Sequence, residues 1–378
     1  MRGNYILSIL IGVASVFCFL YSCNQEKQMD MSELYMLVGT YTSQDSDGIY
    51  VYKFNSDTGE SSLVSTTKVD NPSYLTFSPN GKIVYAVSEN DNIDVDGVFS
   101  YQFDKKNGKL SLLDSVLTEG AAPCYLINSF DGKWLVTANY NGGSLSMVKT
   151  NDFGMFEDAV HVIQFQGEGP NKARQQQSHL HCIYPSPDSL YLFANDLGAD
   201  KIYRMDYSDN LDNSSIVEFL VKPGSGPRHS TFHPSGKWVY TITELSGEVI
   251  ASKYTDGVLE EFQTIIADKL QAGGSADIQI TPNGKYLYAS NRLQGDGIAI
   301  FSINQDNGVL SAIGYQQTGQ HPRNLAITPN GKFILAACRD DNQIEVYQID
   351  DRTGLLNRHK SISVNQPVCV KFASLTDL

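Results

Sequence analysis

Seven ionisable side chains interrupt apolar stripes at matching places in this chain. His181, Arg228 and Arg323 each lie eight residues before a turn residue, and Glu89, Glu244, Arg292 and Arg339 each lie eight residues after one. Guanidinium groups bind carboxylate or phosphate in two-pronged fashion and hold a developing oxyanion. A histidine moves a proton near neutral pH, and a glutamate orients an arginine or activates water. Such a set suits a small, anionic or oxygen-rich molecule and requires no protein nucleophile.

The turn residues come from a repeat. Six segments, beginning at Asn71, Ala122, Ser178, Gly226, Ser275 and His321, each carry an apolar strand, a tight turn of the Pro-Asn-Gly-Lys type and a second apolar strand. With the turn placed at Gly81, Gly132, Ser189, Gly236, Gly284 and Gly331, the steps are 51, 57, 47, 48 and 47 residues. A period near 50 residues, with further strands such as Gly297 to Ile303 and Gln343 to Ile349 in each unit, marks blades of a propeller. Apolar and polar residues alternate with a period of two between Gly, Asn and Asp turns, so four strands per unit are expected and no long helix. The ends supply a seventh blade. Pro367 to Phe372 reads as a first strand lacking partners, and Glu33 to Thr40 with Gly48 to Phe54 read as partners lacking a first strand. Joined, they close the ring and remove its open edge.

Register then locates the exceptions. Positions six and four before the turn are mostly apolar, as in Leu75 and Phe77 or Leu325 and Ile327, and read as the face packed between blades. By strict alternation the position eight before shares that face, yet it reads Ser73, Cys124, His181, Arg228, Ala276 and Arg323. The position eight after reads Glu89, Tyr140, Leu197, Glu244, Arg292 and Arg339. The two strands are antiparallel about the turn, so both positions lie at one end of every blade, near the axis. Charges that end an apolar stripe in several blades mark a site.

Composition narrows the partners. The 378-residue chain carries a formal charge of −14, and without a leader that contains only Arg2 the charge is −15, which disfavours nucleic acid and anionic lipid surfaces. Residues 1–23 read as a lipoprotein signal: an apolar run from Tyr5 to Leu20 ends at Cys23, the expected lipidation site. A tether over 24–33 and a propeller over 34–378 follow, with an exported location in the bacterial envelope, periplasm or outer membrane, and membrane contact only through the lipid on Cys23. Cys124, Cys182, Cys338 and Cys369 show no metal-finger spacing and read as buried small hydrophobes or one incidental disulfide. No cofactor or metal is expected, because Asp196 and Asp277 lack neighbours at ligand spacing. His229 and His233 read as structural histidines, His179 as exposed with a possible secondary binding role, and His161 and His359 as surface residues. Asn139 and Asn291 read as strand-end caps or ligand contacts, the cap being favoured.

The segments resemble the lactonase family of seven-bladed propellers, which includes bacterial 6-phosphogluconolactonase and fungal carboxy-muconate cyclase, from about Tyr35 to Phe372. The most specific part is Gly226-Pro227-Arg228-His229, then Phe232-His233-Pro234 and Thr243-Glu244-Leu245. His179-Leu180-His181, Ser290-Asn291-Arg292 and His321-Pro322-Arg323-Asn324 support it. The resemblance implies hydrolysis of a six-carbon sugar lactone, phosphorylated or not, with the family's chemistry on His181, Arg228, Glu244 and Arg292. In that scheme Arg228 and Arg292 polarise the carbonyl, His181 takes a proton from water and Glu244 fixes an arginine. Glu89, Tyr140, His179, Arg323 and Arg339 contact substrate. Two rivals stand beside it: a non-catalytic envelope propeller that binds carbohydrate or protein, and a cycloisomerase that closes a lactone from an unsaturated dicarboxylate. The pentose-phosphate reaction belongs in the cytoplasm, so either the export reading fails and the protein is cytoplasmic or the exported protein acts on another lactone, and the second is favoured because the apolar run and Cys23 would otherwise be coincidence.

Overall fold

A computed structural model describes residues 32–207 and 216–375. The signal and lipidation reading over 1–23, with most of the tether, lies outside these residues. The described chain forms seven antiparallel sheets of four strands each, with no helix among the described residues. Six sheets are built from consecutive strands. The seventh pairs the C-terminal strand Pro367–Ser374 with Glu33–Thr40, followed by Gly48–Asn55 and Ser61–Lys68. The ring thus closes through a ladder between the two ends of the chain, as expected from their unpaired strands.

Local chemistry sets each inner hairpin. Gly81, Gly132, Gly236, Gly284 and Gly331 adopt φ of +65 to +72°, and Ser189 adopts +63° in the same place. In five blades a hydroxyl three residues before this position accepts the amide two residues after it, as Ser78 does from Ile83 at 2.9 Å and Thr328 from Phe333 at 3.0 Å. His233 replaces that hydroxyl in the fourth blade, bonding Ser235 and the Gly284 carbonyl of the next one, so it is structural as read.

The core lies between blades. Residues two and four after the turn, such as Trp238 with Tyr240 and Tyr286 with Tyr288, are buried against the neighbouring sheet. Buried phenols need a partner, and the Tyr240 and Tyr288 hydroxyls find it in the Gly308 and Gly354 carbonyls of the next blade's outer turn, at 2.7 and 2.9 Å. All four described cysteines are buried and free, which leaves them as small hydrophobes with no disulfide.

Strict alternation fails at one place in the inner strands. In five blades the ladder slips where the first strand begins: between Pro123 and Tyr125, Leu180 and Cys182, Pro227 and His229, Ser275 and Ile278, and Pro322 and Asn324. The position eight before the turn is therefore a bulge residue, unpaired across the hairpin. A bulge re-aims its side chain, so Cys124, His181, Arg228 and Arg323 are not a continuation of the interblade face. They are turned out of it by an extra residue.

Candidate functional site

The hairpin ends gather these bulge residues with the position eight after the turn. Beyond the second strand that residue's amide bonds back to the carbonyl two residues before the bulge residue: Glu244 to Gly226 (2.8 Å), Arg292 to Gly274 (3.1 Å), Arg339 to His321 (3.1 Å), Tyr140 to Ala122 (2.8 Å). The charged positions read from the sequence thus share one end of the ring.

Glu244 is the hub. Its Oε2 accepts from Nε of Arg228 at 2.8 Å and lies 3.0 Å from Nη2 of Arg292, while its Oε1 accepts from Nη2 of Arg174 at 2.6 Å. Arg228, Glu244 and Arg292 are each 5 % exposed or less. Burial alone would raise this carboxyl, but Arg292, Arg228 and Arg174 outweigh it and hold it at about 2. It is a carboxylate at any working pH, and it neutralises arginine charge that could not otherwise be buried.

The arginines differ in what they have left to offer. Arg228 gives Nε to Glu244 and Nη1 to the Ala276 carbonyl (2.6 Å) and to His229 Nε2 (3.2 Å), leaving Nη2 without an acceptor among the described residues. Arg292 gives Nε to the Gly274 carbonyl (2.7 Å), Nη1 to His321 (3.2 Å) and one Nη2 N–H to the Ser275 carbonyl (3.5 Å), with Nη2 also paired with Glu244 at 3.0 Å, so it is nearly saturated. Burial and the neighbouring arginines lower it to about 9, still protonated at neutral pH. Arg339 is held by Asp340 at 2.6 and 3.1 Å. Arg323 makes no hydrogen bond among the described residues and lies over the Tyr41 ring, 5.3 Å from its centroid. Burial works against its charge, but Tyr41, Glu89 and Glu244 outweigh burial and raise its pKa.

Glu89 accepts from the Tyr41 hydroxyl at 3.1 Å and from the Ser73 hydroxyl. Burial raises its carboxyl above the ordinary value despite Arg323. His181 is buried beside Cys124 Sγ (3.9 Å from Nδ1), edge-on to the rings of Tyr140 and His229 at 5.5 and 5.1 Å. Burial, then the Arg228 charge, push its pKa well below the usual histidine value, so it is neutral and able to accept a proton at pH 7.

The structure corrects two sequence readings. His179 is buried rather than exposed; its ring stacks on Tyr140 at 4.3 Å and its Nδ1–H donates to the Tyr140 carbonyl at 2.8 Å. His229 is not only a packing residue, for it touches Arg228 and, through Nδ1, Asp277 Oδ1 at 2.9 Å. Asp277, set aside as a metal ligand, is that histidine's acceptor. Asp196 instead accepts backbone amides of His179, Gly198 and Ala199, a loop-shaping role. Among the described residues no group of three or more His, Cys, Asp or Glu side chains is placed to hold a metal ion.

Arg174, Tyr41, His321 and Asp340 went unassigned in the sequence. Arg174 did leave a trace: it sits in the longest repeat step, 57 residues, whose extra length forms the loop that brings this side chain over Glu244. Tyr41 and Asp340 follow strands directly and stand out only once the blades are assembled.

Known proteins share this architecture over nearly its whole length. The family model for the seven-bladed β-propeller lactonases matches residues 35–372. A 6-phosphogluconolactonase of Formosa agariphila is 38 % identical over 333 residues, covering 85 % of this chain and 94 % of that protein. The solved structure of a candidate 6-phosphogluconolactonase from Bacteroides fragilis is 49 % identical, with a TM-score of 0.87 over 90 % of this chain and 98 % of that one. The periplasmic gluconolactonase of Pseudomonas aeruginosa is 31 % identical, with a TM-score of 0.85 over 91 % of this chain and all (100 %) of the other. A closed ring of seven four-stranded blades is thus shared with relatives over almost the full chain, and this protein belongs to the lactonase family of seven-bladed β-propellers.

Proposed function

We propose that this protein hydrolyses a sugar lactone of the gluconolactone or 6-phosphogluconolactone class at the axial arginine cluster. The observation that carries the assignment to these residues is the division of labour around Glu244: one buried carboxylate holds three arginines, yet Nη2 of Arg228 and the whole guanidinium of Arg323 remain free to donate. The lactone carbonyl oxygen takes those N–H groups, which stabilise it more strongly as negative charge develops. Neutral His181 accepts a proton from the attacking water as the new C–O bond forms. Collapse of the tetrahedral intermediate breaks the ring C–O bond, and the same proton passes to the departing ring oxygen. The product is the open aldonic acid, which releases a proton to solvent at neutral pH, and the resulting carboxylate meets the same arginines.

The free donors support a different holder for one role than the one expected. Arg292, with only one N–H left, serves to hold Glu244, and Arg323 replaces it as the second donor to the carbonyl. Tyr140, through the Arg174 contact at its hydroxyl (3.1 Å) and its stack on His179, forms one wall; Glu89 and Tyr41 come from the two preceding blades. The periplasmic relative supports an exported location for this protein too, with Cys23 as its anchor.

The test is turnover of glucono-δ-lactone, its 6-phosphate and a carboxy-muconate by the purified protein, with His181→Ala alongside. Lactone hydrolysis with a loss of about 10² or more in kcat in the variant is expected. Full activity of His181→Ala removes the base assignment, turnover of the muconate alone supports the cycloisomerase, and no turnover at all supports a binding propeller.

A further inference from the structure

Two arginines of the site are each backed by a histidine, from different places in the repeat. Arg228 Nη1 lies 3.2 Å from Nε2 of His229, whose Nδ1 lies 2.9 Å from Asp277 Oδ1. Arg292 Nη1 lies 3.2 Å from Nε2 of His321, whose Nδ1 lies 3.2 Å from Asp340 Oδ2. His229 follows its arginine in the same inner strand. His321 belongs to the neighbouring blade and sits two residues before a bulge. Repetition of one ancestral position does not account for both.

A guanidinium has donors only. An imidazole nitrogen that faces it at hydrogen-bond distance must therefore carry a lone pair, or two N–H groups would point at each other. A carboxylate has acceptors only, so the other nitrogen must carry the proton. His229 is thus confined to one neutral tautomer, Nδ1–H with a bare Nε2. Asp277 is itself immobilised, accepting from Asn324 Nδ2 (2.6 Å) and from the amides of Leu325 (2.8 Å) and Ile278 (2.9 Å). His321 is not fixed in this way, because guanidinium groups face both of its nitrogens, Arg292 Nη1 at Nε2 and Arg339 Nη2 at Nδ1, each at 3.2 Å. His321 also holds a left-handed backbone, φ +59°, where the fourth blade has Gly226 at +63° and the first Asn71 at +44°. Burial, then the arginine charges, lower His229 to about 4 and His321 to about 3, which agrees with neutral rings at pH 7.

We propose that His229 is a positioning residue, a neutral hydrogen-bond acceptor that fixes one N–H of Arg228 in a tautomer selected by Asp277. With Nε and Nη1 both tethered, the Arg228 plane cannot rotate, and the free Nη2 pair is aimed in one direction. The kinetic consequence rests on the lactonase reading. The tautomer does not.

The two are separated by experiment. ¹⁵N-histidine NMR of the full chain at pH 7, with the signal assigned through His229→Gln, is expected to show Nδ1–H and bare Nε2 on the His229 ring. A protonated Nε2 on that ring, with or without Nδ1–H, overturns the proposal whether or not any lactone is turned over. If the variant does not fold, the unmodified chain must still show at least two Nδ1–H rings, because His179 donates through Nδ1 to the Tyr140 carbonyl; fewer than two overturns it. In kinetics, His229→Leu, which removes the acceptor, is expected to lower kcat roughly 10- to 100-fold with little change in KM. His229→Gln, whose amide offers oxygen to Arg228 and N–H to Asp277, recovers most of that loss. Equal losses in the two variants would indicate packing alone and refute the positioning role.

Discussion

Replacing Glu244 with glutamine keeps the shape of the hub and removes its charge. Three guanidinium nitrogens stand 2.6, 2.8 and 3.0 Å from its oxygens. With charge centres about 4 Å apart and an effective dielectric of about 20, each attraction is of order 4 kcal/mol before desolvation is counted. Most of this gross term is offset by the cost of burying the ions, and breaking a buried pair by removing one partner costs about 3–5 kcal/mol net. Unfolding entropy of about 2.1 cal/mol/K per residue gives about 0.7 kcal/mol/K for a propeller of this size, so Tm should fall by about 4–7 °C. The glutamine amide must also turn N–H toward an arginine, which displaces Arg228 and its free Nη2. Loss of one well-aimed oxyanion donor lowers kcat by about 10² to 10³. Thermal melts at pH 7 in low and high salt, paired with lactone turnover, check both effects, and the Tm difference should survive salt because the cluster is buried. A Tm within about 1 °C of the parent together with unchanged kcat/KM would show that Glu244 is not the hub, and the reasoning above would fail.

Other outcomes follow from the same contacts. The neutral rings of His181, His229 and His321 must take up protons on acid unfolding. Because their folded pKa values lie below the unfolded value of about 6.5, the stability they protect is complete above pH 6.5 and is lost as pH falls toward the folded values. For His229, at about 4 when folded, the loss approaches 3 kcal/mol. Urea midpoints measured from pH 7 to 4 should therefore drop before the carboxylates titrate, and a flat profile over that range would contradict buried neutral histidines. Glu244 adds a further loss between about pH 4.5 and 2, its folded carboxyl being at about 2. Its replacement by glutamine should flatten that lower limb. Truncation before Pro367 removes the strand that pairs with Glu33–Thr40; the opened ring should aggregate or stay unfolded in expression trials, and a soluble, cooperative melt would show that closure is dispensable.

Much of the site could be read from register. Once Gly236 and Gly284 were aligned, Arg228, Glu244 and Arg292 declared themselves as charges in an apolar phase, because a two-residue period gives each inner-strand position a fixed face. That same rule misled at the strand's first residues. It placed Arg228 and His181 on the interblade face and treated the next residue, His229, as packing, since nothing local announces that the ladder slips between Pro227 and His229. A bulge depends on which partner residue each amide meets, a property of two strands rather than of one.

Blade count, strand order and the pairing of the chain's two ends were set by local sequence: turn residues that tolerate left-handed φ, alternation that gives each strand one apolar face, and unpaired strands at the ends that had only each other. What needed the assembled ring was the partnership of groups far apart in the chain. Arg174 reaches Glu244 from a loop 70 residues away, and Asp277 selects the His229 tautomer from the next blade, 48 residues on. Side-chain type shows that a residue can donate or accept. Only closure of the ring decides which donor faces which acceptor, and so which arginine has N–H groups left for a substrate.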